Sequence, residues 1–216
     1  VDNQKHQTVR ILPKQLCLFA DNSAERIANL FISLNFSPNF ISIFALLLGL
    51  AAGILFALGH TLWAGIVIIL CGLFDVLDGQ VASKTNKKSL FGAIFDSSLD
   101  RYSEFFIYLG IAYYFRNHWA LWLCFVTLFG ALMVSYTRAR AEGLGIECQV
   151  GIMQRAERIA LLALGSLLGS LFNVFVPVMI AVLIATAVIS NITAFQRILY
   201  VKKVENLKKS SPYIQS

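Results

Sequence analysis

The chain has 216 residues, 57% of them hydrophobic and 14% charged, with a net charge of +6. Soluble domains average roughly 45–50% apolar and about 25% charged residues, so this composition excludes an ordinary soluble enzyme, and the length leaves room for one domain. The positive balance needs no nucleic-acid partner, because the anionic lipids of an inner membrane leaflet are its natural counterpart.

Residues 1–36 form an N-terminal segment that opens on Val1, which points to a processed or truncated start, and residues 1–15 show no signal-peptide pattern. Within residues 10–34, Ile27, Leu30, Phe31 and Leu34 recur at helical spacing with Asp21, Glu25 and Arg26 interleaved. This predicts an amphipathic helix lying on the membrane surface, with a plain polar linker as the alternative. Ser37-Pro38-Asn39 ends it and opens the next helix, since Pro fits a first helical turn. Apolar runs follow at residues 39–58, 62–82, 93–115, 119–137, 156–173 and 175–196. Each approaches the roughly 20 residues that cross a bilayer. The expected fold is an all-α integral membrane protein: six transmembrane helices in residues 37–200, the amphipathic juxtamembrane helix before them, and a basic tail at 201–216.

Orientation follows from the cations. Lys5, Arg10, Lys14 and Arg26 precede the first run, Lys84, Lys87 and Lys88 lie between runs two and three, and Arg138, Arg140, Arg155 and Arg158 flank the fourth connection. Arg197, Lys202, Lys203, Lys208 and Lys209 close the chain, whereas the opposite connections hold Arg116 alone. The positive-inside bias puts both termini and runs two and three's connection on the cytoplasmic side.

Runs two and three also carry four carboxylates. Asp75 and Asp78 are three apart, and Gly79 and Ala82 continue nearly the same face; Gly92, Asp96 and Asp100 form an i, i+4 stripe on the next helix. An ionised Asp at bilayer depth costs roughly 2.5–3.5 kcal/mol on the lenient insertion scale, so such a cluster reads as a functional site. All-oxygen ligation suits hard cations such as Mg²⁺ or Mn²⁺. Gly79, Ala82 and Gly92 add helix surface without bulk, which a phosphate-bearing ligand requires. Two other readings use the same residues: acids serving as inter-helix glue, and a cation channel or carrier, although transporters favour broken helices in repeated halves.

The second constellation is basic. Arg138, Arg155, Arg158 and Arg197 fall at the cytoplasmic ends of runs four, five and six. A guanidinium is a planar fork that matches phosphate, so the set predicts a phosphorylated acceptor; snorkelling membrane anchors are the alternative. Cys17, Cys71, Cys124 and Cys148 lack ligand spacing and read as small hydrophobes. Gly49-x3-Gly53 and Gly165-x3-Gly169 mark close helix approach or ordinary packing.

The stretch DVLDGQVASKTNKKSLFGAIFDSSLDR resembles the signature of the CDP-alcohol phosphotransferases, D-x2-D-G-x2-A-R-x8-G-x3-D-x3-D, with Ser83 in place of the Arg. The resemblance implies six transmembrane helices, usually a homodimer, and a divalent-metal site, with two ions, at the cytoplasmic end of a prokaryotic plasma membrane protein. Such enzymes cleave a CDP-linked lipid and release CMP. By the same resemblance Asp75, Asp78, Asp96 and Asp100 are the metal ligands, Asp100 is also the catalytic base, and Asp75, Asp78, Gly79, Ala82, Ser83 and Gly92 bind the CDP-lipid. Lys84, Lys87 and Lys88 are the cations able to stand in for the missing Arg. The pattern R-A-R-A-E-G from Arg138, R-A-E-R from Arg155, and Gln196-Arg197 is similar to phosphatidylinositol-phosphate and archaetidylinositol-phosphate synthases. In those, basic residues hold the phosphate of inositol 1-phosphate. The implied reaction joins CDP-diacylglycerol or CDP-archaeol to inositol 1-phosphate; glycerol 3-phosphate or serine is the alternative acceptor.

Overall fold

The computed structural model describes residues 27–85 and 89–210, with side chains through residue 207. Among the described residues all regular structure is helical: α1 (residues 27–33), α2 (Pro38–Ala57), α3 (Thr61–Lys84), α4 (Leu90–Tyr114), α5 (Ala120–Gly143), α6 (Arg155–Leu171) and α7 (Phe175–Ser210). Local chemistry sets the starts. Pro38 occupies the first turn of α2 and Ser37 Oγ accepts the Phe40 N–H at 3.3 Å. Ser89 Oγ accepts the Gly92 N–H at 2.9 Å to begin α4, and the Gln154 N–H donates to Glu157 Oε2 at 2.9 Å to begin α6.

Four helices are long and apolar enough to cross a membrane: Pro38–Ala57, Thr61–Lys84, Ala120–Gly143 and Phe175–Leu207. The other two long helices fall short for a reason tied to the site. α4 carries Asp96, Asp100, Arg101 and Glu104, and the 17-residue α6 begins with Arg155, Glu157 and Arg158.

Two helices outrun their apolar runs. α5 continues through Arg138 and Arg140 to Gly143, and α7 continues through the expected tail to Ser210. Apolarity stops at a bilayer boundary, but Arg, Lys and Glu are good helix formers and the backbone ladder proceeds without a break. At about 1.5 Å per residue α7 measures roughly 54 Å, against a hydrocarbon core of about 30 Å. Of the expected amphipathic helix, residues 10–26 lie outside the described residues. In the remainder, Ile27 and Phe31 pack near Leu77 and Val81 of α3, while Leu30 and Leu34 are exposed.

The main packing contacts run around a closed ring: α2 on α3, α3 on α6, α6 on α7, α7 on α5, α5 on α4, and α4 back on α2. Ile68, Ile111, Leu162, Met179 and Leu183 fill its interior. The α2–α4 seam is the tightest: a methyl on Gly53 would strike the Phe106 carbonyl, and one on Gly110 would strike the Gly53 backbone. Gly165 likewise leaves room for Val182 of α7, whose Cγ2 would lie 2.7 Å from an added Cβ. Both glycine pairs therefore sit at close helix contacts within the chain. Gly110→Ala should cost at least about 1–3 kcal/mol through overpacking. Gly143→Ala, with no neighbouring atom within 4 Å of the added methyl, should be neutral or slightly stabilising. Thermal unfolding of the detergent-solubilised variants checks this, and equal effects at both positions would contradict the seam.

Candidate active site

The acidic stripes of α3 and α4 converge without the two helices packing closely on each other; both rest on α2. Asp75, Asp78 and Asp96 each place a carboxylate oxygen within 4.8 Å of the others. Asp78 is 4% exposed, and its Oδ2 accepts the hydroxyl of Ser42 on α2 at 2.7 Å. That bond fixes the carboxylate against α2. Three converging carboxylates form an all-oxygen donor set that fits Mg²⁺ or Mn²⁺ better than softer metals.

Asp100 lies one turn along α4 and is held differently. Arg155 Nη1 stands 2.9 Å from Asp100 Oδ2 and 2.8 Å from Asp75 Oδ2, so the first residue of α6 bridges α3 and α4. Asp75 thus belongs both to the carboxylate trio and to this ion pair. Beside the trio opens a cavity of about 250 Å³ whose walls include Asp78, Gly79, Ala82, Gly92 and Asp96, with Ser42 and Asn39 from α2. Of the expected lipid-nucleotide residues, Asp75 and Ser83 are not among its walls. A methyl at Gly79 would meet no neighbouring atom within 4 Å, so helix packing does not require this glycine.

Each of the four arginines has its own partners. Arg158 is fully buried and grips Glu104 with both prongs, Nε to Oε1 at 2.8 Å and Nη2 to Oε2 at 3.0 Å. Arg197, 3% exposed, donates from Nε to the Val150 carbonyl at 2.9 Å and from Nη1 to the Val134 carbonyl, clamping α5 and the connection before α6. Arg138 is half-exposed and pairs with Glu142 one turn on. Arg155 alone reaches the carboxylates. Two buried donors on the first turn of α6, Arg155 Nε and Arg158 Nη1, have no hydrogen-bond partner among the described residues. Unmet donors of this kind are costly and mark places where a ligand acceptor fits.

Glu104 escaped the sequence reading, yet its signal was present: it is the next i+4 position of the stripe Gly92, Asp96, Asp100. Ser42, the one hydroxyl residue of α2, had no comparable signal, because nothing in so apolar a helix tells which neighbour that hydroxyl meets. The Lys84 ammonium donates to Asn29 of α1 at 2.8 Å, and Lys87 and Lys88 lie outside the described residues. Cys71, Cys124 and Cys148 are buried; Cys17 lies outside the described residues.

Breaking the buried pair should be severe and replacing it whole should not. Arg158→Met or Glu104→Met alone strands a buried charge at about 3–5 kcal/mol, whereas the double variant should recover most of that loss. Unfolding midpoints of the three variants test the coupling, and additive losses would refute it.

The chain compares with known proteins over most of its length. A family model described as CDP-alcohol phosphatidyltransferase matches residues 35–195. The archaetidylinositol phosphate synthase of Methanothermobacter thermautotrophicus is 38% identical over 183 residues, 85% of this chain and 88% of that protein. The crystal structure of Mycobacterium tuberculosis phosphatidylinositol phosphate synthase with CDP-DAG bound superposes with a TM-score of 0.75 at 25% identity, covering 89% of this chain and 96% of that one. The same enzyme in complex with manganese and citrate superposes with a TM-score of 0.76 at 25% identity, covering 89% and 92%.

Proposed function

This chain belongs to the CDP-alcohol phosphatidyltransferase family, and on that premise we propose that it transfers the lipid phosphoryl group of CDP-diacylglycerol or CDP-archaeol to inositol 1-phosphate, releasing CMP. One observation carries the acceptor half of this reading: Arg155 joins the carboxylate cluster to a helix start that holds two unmet guanidinium donors. A bare alcohol makes no use of such donors; a phosphorylated one does.

The donor half rests on the carboxylates and the cavity. Asp75, Asp78 and Asp96, with Asp100 completing the set, would hold two Mg²⁺ or Mn²⁺ ions, which when bound offset the diphosphate charge and the charge developing on CMP. Gly79, Ala82 and Gly92 leave the cavity wall flat for the nucleotide, with Asp78 beside it. Ser83 takes the place of the family Arg next to this surface. The inositol hydroxyl attacks the β-phosphorus, the bond from that phosphorus to the CMP oxygen breaks, and Asp100 accepts the hydroxyl proton. Arg138, Arg155, Arg158 and Arg197 hold the acceptor phosphate; Arg158 does so through Nη1, since Glu104 takes its other prongs. The start of α6 favours an anion there, because unpaired backbone N–H groups and the helix dipole point the same way.

In this reading α4 and α6 cross the membrane with the four apolar helices, giving six spans, and α1 rests on the membrane surface. Both termini and the active site face the cytoplasm of a prokaryotic cell, as the basic residues favour, and anionic lipids and a second copy of the chain are the remaining partners.

The experiment is turnover of a labelled CDP-lipid with Mg²⁺ or Mn²⁺ and a panel of inositol 1-phosphate, free inositol, glycerol 3-phosphate and serine. Inositol 1-phosphate should be strongly preferred. Preference for glycerol 3-phosphate, or equal use of free inositol or serine, would overturn the acceptor and leave the family standing. Asp75→Asn, Asp78→Asn and Asp96→Asn should each abolish CMP release; an active variant removes its residue from the ligand set.

Neutralising Arg138 or Arg197 should raise the acceptor KM about tenfold to a hundredfold, the worth of one charge-assisted hydrogen bond. The CDP-lipid KM should barely move. A matching rise in both constants would mean that these arginines only support the fold.

A further inference from the structure

Arg155 touches the acids on which both halves of the reaction depend. Its Nη1 is shared between Asp75 Oδ2 at 2.8 Å and Asp100 Oδ2 at 2.9 Å, while its buried Nε has no partner among the described residues. The guanidinium is therefore only partly satisfied where it stands. Asp100 has the complementary problem: the oxygen nearest Arg155 directs its lone pairs at a cation that has no proton to give up. A phosphate dianion offers the guanidinium a better partner, with more charge and a bidentate edge that can engage Nε and Nη together. It would also sit at the start of α6, where an anion is favoured.

We infer that Arg155 ties down Asp100 until an acceptor phosphate draws the guanidinium away, and that this interlock directs the CDP-lipid to a phosphorylated alcohol rather than to water. The inference rests on the proposed function, in particular on Asp100 as base and on a phosphorylated acceptor. In the side reaction it suppresses, a water oxygen bonds to the β-phosphorus, the bond from that phosphorus to the CMP oxygen breaks, and the water proton goes to Asp100. The products are CMP and the lipid phosphomonoester. Water is far more abundant than any acceptor, but it has no phosphate with which to displace Arg155, so Arg155 stays on Asp100 Oδ2 when water is in the site.

A second consequence is independent of turnover. A divalent cation drawing on Asp75 and Asp100 competes with Arg155 for the same oxygens, so anything that draws Arg155 away should tighten metal binding. By linkage, phosphate and metal then assist each other's binding by the same factor.

The test compares the wild type with Arg155→Gln and Arg155→Lys as full chains in detergent. Without lipid, Arg155→Gln should bind Mn²⁺ about tenfold or more tightly than the wild type, having lost a charge-assisted competitor. Inorganic phosphate should tighten Mn²⁺ binding in the wild type and leave Arg155→Gln unchanged. With CDP-lipid, the ratio of acceptor-independent CMP release to transfer should rise about tenfold or more in Arg155→Gln, again the worth of one such bond. It should rise less in Arg155→Lys, which keeps a charge able to meet both carboxylates but lacks the planar fork that grips a phosphate. Unchanged or weaker Mn²⁺ binding in Arg155→Gln, or a hydrolysis ratio at or below the wild-type value in both variants, overturns the interlock. Should the Gln variant not fold, the Lys variant decides by the same ratio. If the wild type transfers to no phosphorylated alcohol, the acceptor reading fails, and the Mn²⁺ titrations still judge whether Arg155 competes for these carboxylates.

Discussion

Charged side chains set among apolar helices have to be satisfied by one another, and nearly everything distinctive about this bundle follows from how that is done. Arg155 reaches from α6 to one carboxylate on α3 and another on α4. Arg158 ties α6 to α4 through Glu104, and Ser42 ties α2 to α3 through Asp78. Each of these contacts crosses between helices. They gather around the space between α3 and α4, two helices that both pack on α2 and barely on each other. Apolar packing shapes the rest of the ring; at this point polar contacts do so, and a cavity is left beside them. A seam held by ion pairs and hydroxyls keeps its geometry without being filled, as a reaction centre requires.

The helices were legible because hydrophobic runs report length directly, and the carboxylate stripes were legible because a helix repeats every three to four residues. What periodicity cannot report is the neighbour. It put Asp75, Asp78, Asp96 and Asp100 on two faces, but nothing in the spacing said that Asp75 and Asp100 would share Arg155 while Asp78 took Ser42. It likewise grouped Arg138 with Arg155, Arg158 and Arg197 without telling their partners, which are those of a half-exposed i, i+4 pair, a bridge, a buried pair and a clamp on backbone carbonyls. Glu104 was readable in principle as the next step of its stripe, and was passed over because the family signature ends at Asp100. The apolar runs did not give the ends of α5 and α7, because apolarity and helicity stop at different residues.

The family and the acceptor rest on different residues. Membership is carried by the acidic stripes and by similarity along most of the chain. The acceptor is read from the first turn of α6 and from the basic residues around it. At Ser83, where the family signature has Arg, the neighbouring Lys84 donates to Asn29, so this corner joins α1 to the bundle.

The first turn of α6 is frustrated by design. Two guanidiniums sit at the positive end of a helix dipole, and among the described residues Glu157, Glu104 and the shared carboxylates offset them. Local preference and global fold disagree there, and in natural sequences such disagreement is tolerated chiefly at functional sites. An anion arriving at this turn therefore does more than occupy a site. It removes a conflict within the protein, so the bundle should become more rigid and more resistant to unfolding as its acceptor binds, and the substrate becomes part of what holds the enzyme together.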